Sequence, residues 1–165
     1  MKERTPSDPR LTGHNGVEEA IAYEERSLAE LRKARYRITM PKVQVIRALA
    51  DTETALSAYA IHDKVIRAGG KIDVVSVYRI LTTLEELGLI CRIGVVNGYF
   101  PSRLSGSTRH RSEMVVCERC GHVTQLEAPE MVISALEKQA AEAGLTPNTI
   151  RIEMVSTTCP QCKGK

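Results

Sequence analysis

Two Cys-x-x-Cys pairs constrain this chain more than any other feature of its sequence. They read V-C-E-R-C-G-H around Cys117 and Cys120, and T-C-P-Q-C-K-G around Cys159 and Cys162. Two residues between thiolates let both sulfurs converge on one ion through a tight turn, and two such turns make a tetrahedral four-sulfur zinc site. The sequence therefore predicts a structural Zn²⁺ at these four cysteines, with a folded unit between the pairs that returns the chain.

The alternative from another class is a zinc-dependent thiol oxidoreductase. A redox Cys-x-x-Cys opens a helix after a strand, and neither pair has that setting. A catalytic zinc has three protein ligands and an open position, which four thiolates would close. The sequence also lacks a nucleophile–base constellation, a phosphate loop and a carboxylate pair. We therefore predict that the protein is not an enzyme and has no small-molecule substrate.

Length and composition indicate a globular protein with no membrane-spanning segment. The chain has 165 residues, of which 42% are hydrophobic and 26% charged, enough for one large domain or two small ones. It has no apolar run of about 18 residues, the length that a membrane span needs. Its N-terminus lacks the apolar segment of a secretory signal. We expect a cytoplasmic location, where thiols stay reduced and bind metal rather than form disulfides.

The first 104 residues predict a winged helix-turn-helix. Apolar spacing favours four helices, over 17–33, from about Thr39, over 57–68 and over 74–87, with Ser57 and Asp73 as caps. Asn97-Gly98 between two short apolar runs is a strong hairpin signal. Helices followed by a hairpin make a winged helix-turn-helix, with residues 74–87 as its recognition helix.

The charge distribution fits a nucleic-acid partner without proving one. The net charge is only +3, but residues 31–50 carry six Lys or Arg and no acid. The outer face of the fourth helix is polar and includes Arg79, and an arginine can bond a guanine edge bidentately. A solvated amphipathic helix remains the alternative for this pattern taken alone.

The second half predicts an α/β unit between the cysteine pairs. Strands are expected over 113–117, 122–127 and 149–157, with a helix over 130–143. Such a short domain has a small core, so zinc and a partner subunit would supply stability. The fold class is therefore α+β. The predicted organisation is a flexible tail (1–16), a winged-helix DNA-binding domain (17–104), a hinge (105–112) and a zinc-binding dimerisation domain (113–165).

These segments resemble the ferric uptake regulator family of bacterial metal-responsive repressors. The likeness rests on R-I-T-M-P-K-V-Q-V-I-R-A-L from Arg37, S-V-Y-R-I-L-T-T-L-E-E-L-G-L-I from Ser76, and the two cysteine turns. The resemblance implies a homodimer, a winged-helix domain on an inverted-repeat double-stranded DNA operator, a C-terminal α/β dimerisation domain and a metal corepressor. It also implies base contacts by Tyr59 and Arg79. The other candidate DNA-binding residues are Tyr78 and, for phosphates, Ser76, Thr83, Arg37 and Lys42.

The metal-sensing residues resemble the zinc uptake regulator branch of this family. The iron and peroxide members carry H-H-x-H before the first cysteine, where this chain has residues 111–114, R-S-E-M. Its segment S-T-R-H-R-S-E-M-V-V-C instead places His110 seven residues before Cys117, as in the zinc branch. The same branch has a metal ligand at the position of Cys91. The resemblance thus implies a second, regulatory Zn²⁺ bound by Cys91 and His110.

The likeness to the zinc branch is incomplete at three positions. The zinc branch usually has a cysteine after the wing, where this chain has Ser102, and an acid on the strand after the zinc turn, where this chain has Gln125. The family often has a histidine before the last cysteine pair, where this chain has Arg151. Glu127 follows two residues after Gln125, on the same face of the predicted strand, and is the candidate third ligand. His122 lies on the opposite face and is the weaker candidate.

The sequence therefore predicts a zinc-sensing repressor of zinc-uptake genes. The regulatory zinc would link the winged-helix side to the hinge and fix the two DNA-binding domains at the operator spacing. Two alternatives stay open: a repressor that senses iron, manganese or peroxide, and one that has lost metal sensing. In the second case Cys91 is a small buried hydrophobe and His110 an ordinary hinge residue.

Overall fold

The computed structural model describes residues 15–103 and 111–162, and the class is α+β, as the sequence predicts. Most of the predicted tail, the candidate ligand His110 and residues 104–110 lie outside this part, so the hinge and the domain limits stay predictions. The helices are α1 (Asn15–Lys33), α2 (Met40–Ala50), α3 (Ala58–Arg67), α4 (Val74–Glu86) and α5 (Glu130–Glu142). The strands are β1 (Ile90–Ile93), β2 (Gly98–Pro101), β3 (Arg111–Cys117), β4 (Val123–Gln125) and β5 (Ile150–Ser156).

Helices α1 to α4 pack around one aliphatic core. On α4 the side chains of Val77, Leu81 and Leu84 are completely buried, at the i, i+4, i+7 spacing of one helix face. They meet buried residues of the three preceding helices, including Leu31, Val45, Ile46, Leu49, Ile61 and Val65. No helix in the described ranges combines the length and hydropathy needed to cross a bilayer.

Both predicted helix caps are confirmed. The Ser57 hydroxyl accepts a hydrogen bond from the Ala60 N–H at 3.1 Å, and the Asp73 carboxylate accepts one from the Ser76 N–H at 2.8 Å. Each bond satisfies one of the amide donors that the first turn of a helix leaves unpaired. Asp73 therefore fixes where α4, the predicted recognition helix, begins.

Substitution Ser57→Ala is expected to lower the free energy of unfolding by about 1 kcal/mol, because an amide of the first turn of α3 loses its acceptor. Urea unfolding of the zinc-loaded protein, followed by circular dichroism, measures this. The matched control is Ser134→Ala, which changes an exposed serine inside α5 and is expected to shift the midpoint little. Equal effects of the two substitutions would contradict the capping role.

The predicted hairpin is confirmed as the wing. Strands β1 and β2 pair antiparallel, with Cys91 opposite Phe100. The turn between them covers residues 94–97, closed by the Asn97 N–H donating to the Gly94 carbonyl at 3.1 Å, and Asn97 has φ +46°. Gly98 begins β2, where a Cβ would lie 2.9 Å from that of Ala55, so a glycine is required for the connector between α2 and α3 to approach.

The C-terminal sheet has the order β4-β3-β5. Strand β3 pairs antiparallel with β4 and parallel with β5, so α5 lies in a crossover between the two outer strands. The β3–β5 register sets Cys117 opposite Ser156. The residues between the two cysteine pairs therefore form the α/β unit that brings the second pair back to the first.

Strand β4 is shorter than predicted. It covers Val123–Gln125, whereas the sequence predicts a strand over 122–127. Leu126 still donates to the Glu113 carbonyl at 2.9 Å, but the chain then turns towards Pro129, the N-cap of α5. Pro129 has no N–H to donate to a sheet and is the N-cap of α5, so Glu127 and Ala128 form a short connection between strand and helix. Glu127 is consequently exposed in a loop, not on the strand face shared with Gln125.

The connector between α2 and α3 lies between the two parts of the molecule. Thr54 forms an antiparallel bridge with His122, which follows the first cysteine pair, and Leu56 forms one with Tyr99 of the wing. The Val123 N–H also donates to the Glu53 carbonyl at 3.0 Å. The connector therefore has backbone hydrogen bonds to the wing on one side and to the C-terminal sheet on the other.

Candidate metal centre and nucleic-acid interface

The four cysteines of the two pairs meet at one point. Their sulfur atoms all lie within 4.8 Å of one another. The Sγ–Sγ distances are 3.6 Å for Cys117–Cys162, 3.4 Å for Cys120–Cys159 and 3.7 Å for Cys159–Cys162. A tetrahedron of sulfurs about 2.3 Å from a zinc ion has edges of roughly 3.8 Å. The donor set and its spacing both fit a closed Zn²⁺ site.

Local backbone geometry explains how the sulfurs converge. Cys117 ends β3, and the next turn closes when the Gly121 N–H donates to the Cys117 carbonyl at 2.8 Å. Gly121 has φ +73°, a conformation that side chains other than glycine's disfavour. In the second pair the Cys162 N–H donates to the Cys159 carbonyl at 3.1 Å. A bond of 3.0 Å from the Glu118 N–H to the Ser156 carbonyl brings the two turns side by side.

The electrostatics of the four-cysteine cluster also favour a bound cation. Burial opposes ionisation of the Cys117 thiol, but the backbone N–H groups of Cys120 and Arg119 lower its pKa to about 7. For Cys120 the His122 N–H favours the thiolate, but the nearby Cys159 sulfur and burial outweigh it and raise the pKa to about 12. Thiolates this close repel one another, and a divalent cation removes the repulsion while binding each of them.

The polar face of α4 is presented to solvent, as the sequence predicts. Tyr78 and Arg79 are exposed, and Val75 of the same face is 60% exposed. Tyr59, at the start of α3, is 63% exposed. These side chains can reach a ligand as large as a DNA groove without displacing any part of the core.

Two of the candidate phosphate-binding hydroxyls are engaged within α4. The Ser76 hydroxyl donates to the Asp73 carboxylate at 2.6 Å, and the Thr83 hydroxyl donates to the Arg79 carbonyl at 3.2 Å. The Ser76 hydroxyl and N–H also lower the pKa of Asp73, so this carboxylate is ionised at neutral pH. Each hydroxyl has one proton to donate. Either would have to leave its present acceptor to bond a phosphate.

A basic groove lies beside the start of α4. It lies between the N-terminal ends of α2 and α4 and contains Lys42, Lys71 and Arg79. Lys42 donates to the Arg37 carbonyl at 2.8 Å and lies 5.3 Å from the centre of the Tyr36 ring, which fixes its ammonium beside the exposed Arg37. Sequence reasoning missed Lys71, although its position two residues before the Asp73 cap places it at the same helix end.

A second apolar cluster joins the winged-helix part to the C-terminal sheet along a seam. Ile93 and Phe100 of the wing pack with Met114, Val116 and Val123 of the sheet. We call this contact the interdomain seam. Its centre is dry, because each of these five side chains is at most 4% exposed.

Three candidate sensing positions lie along the interdomain seam. Cys91 is half-buried, packs against the apolar cluster and is paired with Phe100. Ser102, two residues after Phe100, is buried on the same side of the hairpin. The Gln125 side-chain oxygen accepts a hydrogen bond from the Arg103 N–H at 2.9 Å. Cys91 and Ser102 therefore lie on the hairpin side of this contact and Gln125 on the sheet side, and two of the three side chains offer a neutral oxygen.

Comparison with known proteins identifies the family. The model of the ferric uptake regulator family matches residues 33–155. The chain belongs to the ferric uptake regulator family. The ferric uptake regulation protein of Legionella pneumophila is 30% identical over 135 residues, covering 81% of this chain and 96% of that protein. The zinc uptake regulation protein of Escherichia coli K12 is 29% identical over 145 residues, covering 87% and 82%.

A solved structure of a zinc uptake regulator complexed with zinc and DNA has the same fold. It superposes with a TM-score of 0.77 at 26% identity, covering 87% of this chain and 95% of that chain. As a member of the ferric uptake regulator family, the chain is a metal-responsive transcriptional regulator and not an enzyme. The thiol oxidoreductase alternative is therefore wrong.

The structure does not complete the predicted sensing site of this family member. His110 lies outside the described residues. Glu127 is exposed in the loop after β4, and His122 is bridged through its backbone to Thr54. Among the described residues, the four cysteines are the one group of three or more metal-binding side chains that meet.

Sequence reasoning missed two residues of α1 that lie near Cys91 and the end of the hairpin at Ser102. Burial raises the pKa of the Tyr23 phenol, which lies on α1 near Ser27, Arg26 and Cys91. The Arg26 guanidinium donates to the backbone carbonyls of Ser102 and Arg103. An arginine on an amphipathic helix gives no sign that its acceptors lie more than 70 residues away, so the sequence held no signal for this contact.

Proposed function

We propose that this regulator represses zinc-uptake genes when zinc is plentiful. It would act in the cytoplasm as a homodimer bound to an inverted-repeat DNA operator. The observation that carries the proposal is the exposed α4 face with Arg79, on a chain that superposes on a zinc- and DNA-bound zinc uptake regulator with a TM-score of 0.77. The four-cysteine cluster supplies the structural zinc site on which such a fold depends.

Base reading in this proposal rests on Arg79 and Tyr59. The exposed guanidinium of Arg79 can bond a guanine edge, and Tyr59 and Tyr78 offer aromatic contacts beside it. Arg37 and Lys42 would hold phosphates, since Lys42 lies in the basic groove and its ammonium bonds the backbone carbonyl of the exposed Arg37. Ser76 and Thr83 would also bind phosphates. To do so, each hydroxyl would have to leave its present acceptor, the Asp73 carboxylate or the Arg79 carbonyl, and donate to a phosphate instead.

The homodimer would form through the C-terminal domain. Strand β5 lies at an edge of its sheet, and exposed apolar side chains lie on α5 and β5. They are Met131, Val132, Leu136 and Met154. Exposed apolar side chains of this size are typical of a surface that a partner subunit covers. The small C-terminal core needs such a partner for stability.

The regulatory zinc would bind at the interdomain seam. Cys91 supplies a sulfur, His110 a nitrogen and Glu127 a carboxylate, a mixture that suits Zn²⁺. Glu127 requires its loop to turn inward. The ion would join the winged-helix side to the C-terminal side and favour the domain arrangement that fits the operator.

A second candidate function is a regulator of this family that senses another metal or none. It is favoured by the neutral Ser102 and Gln125 at the seam and by relatives that are ferric uptake regulation proteins. In that case DNA binding would not depend on a zinc at Cys91.

Zinc content and DNA affinity of the variant Cys91→Ser separate these two functions. We expect two zinc ions per chain in the parent protein and one in the variant. Operator affinity in buffered zinc should fall roughly 5- to 150-fold, the usual range of coupling between two sites. Plasma emission spectrometry and fluorescence anisotropy measure the two quantities.

The control is Ser134→Ala, which changes an exposed serine of α5 outside the seam cluster. One zinc ion per chain in both the parent and Cys91→Ser, with equal operator affinity, would rule out zinc sensing at Cys91.

A further inference from the structure

Strand β5 contacts the DNA-binding part through two charged side chains. Arg151 and Glu153 lie two residues apart, so their side chains leave the strand on the same face. Glu153 is paired in register with Met114, whose side chain is buried in the interdomain seam. The face of β5 with Arg151 and Glu153 is therefore the one that faces the wing.

Glu153 binds the turn of the wing with both of its carboxylate oxygens. Oε2 accepts a hydrogen bond from the Gly94 N–H at 2.9 Å, and Oε1 accepts one from the Val95 N–H at 2.8 Å. These are the first two amides of the turn that joins β1 to β2. Bonds from an N–H to an ionised carboxylate are shorter and stronger than bonds between neutral groups. Two of them fix the direction of the wing as well as its position.

Arg151 binds the recognition helix at its far end. Its guanidinium lies 3.1 Å from the Glu85 carboxylate, in the last turn of α4. The side chains are 56% and 27% exposed, so this pair alone contributes little to stability. Together with Glu153, however, it gives the winged-helix part a second point of attachment. Two separate points restrain rotation, which a single point does not.

None of these contacts uses a metal ligand of the proposed regulatory site. We infer that Arg151 and Glu153 are positioning residues that orient the recognition helix relative to the dimerisation domain. In a dimer, this orientation sets the distance between the two recognition helices, and with it the half-site spacing that the protein accepts. The inference rests on the proposed function for its DNA consequence, but the contacts can be tested without DNA.

The first test measures the contact itself in the zinc-loaded protein. The variant Glu153→Ala removes both acceptors of the wing turn. Amide hydrogen exchange at Gly94 and Val95, followed by NMR, should become roughly tenfold faster, because a charge-assisted hydrogen bond no longer protects them. Glu153→Gln, which keeps one acceptor oxygen, should give an intermediate rate. Unchanged exchange at both amides in Glu153→Ala would overturn the inference.

The second test measures half-site spacing. Parent and variant proteins are titrated against inverted repeats whose central spacer is lengthened or shortened by one base pair. The parent should bind one spacing roughly tenfold more tightly than its neighbours, and Glu153→Ala should discriminate roughly threefold or less. A merely destabilised protein would lose affinity equally at every spacing, and that result would contradict a positioning role.

Two further variants complete the design. Glu142→Ala removes an exposed carboxylate whose partner, Lys138, lies on the same helix, and it should retain the parent's exchange rates and spacing preference. The double charge swap Glu85→Arg with Arg151→Glu should restore the discrimination that either single swap loses. Failure of the double swap to restore it would refute the role of the ion pair.

The two proposals fail in different ways. If the parent binds inverted repeats no better than scrambled DNA, the proposed function is wrong, whereas the exchange rates at Gly94 and Val95 still decide whether Glu153 holds the wing.

Discussion

Substitution Cys162→Ser is expected to remove the structural zinc and to unfold most of the C-terminal domain. Cys162 is buried, and its sulfur lies 3.6 Å from that of Cys117 and 3.7 Å from that of Cys159. Structural zinc sites contribute on the order of 10–16 kcal/mol in small metal-binding domains, more than the whole stability of many proteins. The remaining thiols would not keep a closed tetrahedral site.

Zinc content by emission spectrometry and melting by circular dichroism measure this effect. We expect the structural zinc to be lost, and the melting temperature to fall by roughly 10 °C or more since about 1 kcal/mol shifts it by several degrees. Cys91→Ser is the matched control, since it changes a cysteine outside the cluster and should leave melting of the C-terminal domain nearly unaltered. A Cys162→Ser protein with the structural zinc retained and the parent's melting curve would show that the cluster is not the structural site.

Substitution Arg79→Ala is expected to cost about 1–3 kcal/mol of specific DNA affinity, equivalent to roughly 5- to 150-fold. The exposed guanidinium is the group on α4 best suited to a bidentate bond with a guanine edge. Its loss should weaken binding to the operator far more than binding to scrambled DNA, because phosphate contacts are the same for both. Folding should be unaffected, since Arg79 lies outside the core.

Fluorescence anisotropy with operator and scrambled duplexes at two salt concentrations measures this change. Lys138→Ala removes a cation from α5 and serves as the control for net charge. An equal loss of affinity for both duplexes in Arg79→Ala would indicate a phosphate contact in place of base reading.

Local patterns predicted much of this fold. The caps Ser57 and Asp73, the hairpin at Asn97-Gly98 and the four-cysteine cluster all depend on residues near in sequence or on one strongly constrained ligand geometry. Amphipathic spacing placed α4 within a residue of its observed limits. Few alternative conformations compete with each of these features, so the residues of a short segment are enough to predict it.

Contacts between distant segments could not be predicted in the same way. Glu153 bonds an amide 59 residues away, and the Arg103 N–H bonds a side chain 22 residues away. Neither contact produces a periodic pattern in the sequence from which it could be predicted. The expectation that Glu127 shares a strand face with Gln125 was wrong for a related reason. It depended on β4 continuing for two more residues, whereas the strand ends at Gln125 and the chain then leads to Pro129, the N-cap of α5.

The connector between α2 and α3 extends the influence of the structural zinc beyond its own domain. On one side Thr54 is bridged to His122, directly after the first cysteine pair, and on the other Leu56 is bridged to the wing. The same connector ends at Ser57, the cap of α3, from which Tyr59 extends. Zinc starvation severe enough to strip the structural ion would therefore loosen α3, which carries the proposed DNA contact Tyr59, through main-chain hydrogen bonds. Such a repressor would leave its operator, and its target genes would be transcribed, even with the ligands of its regulatory site intact.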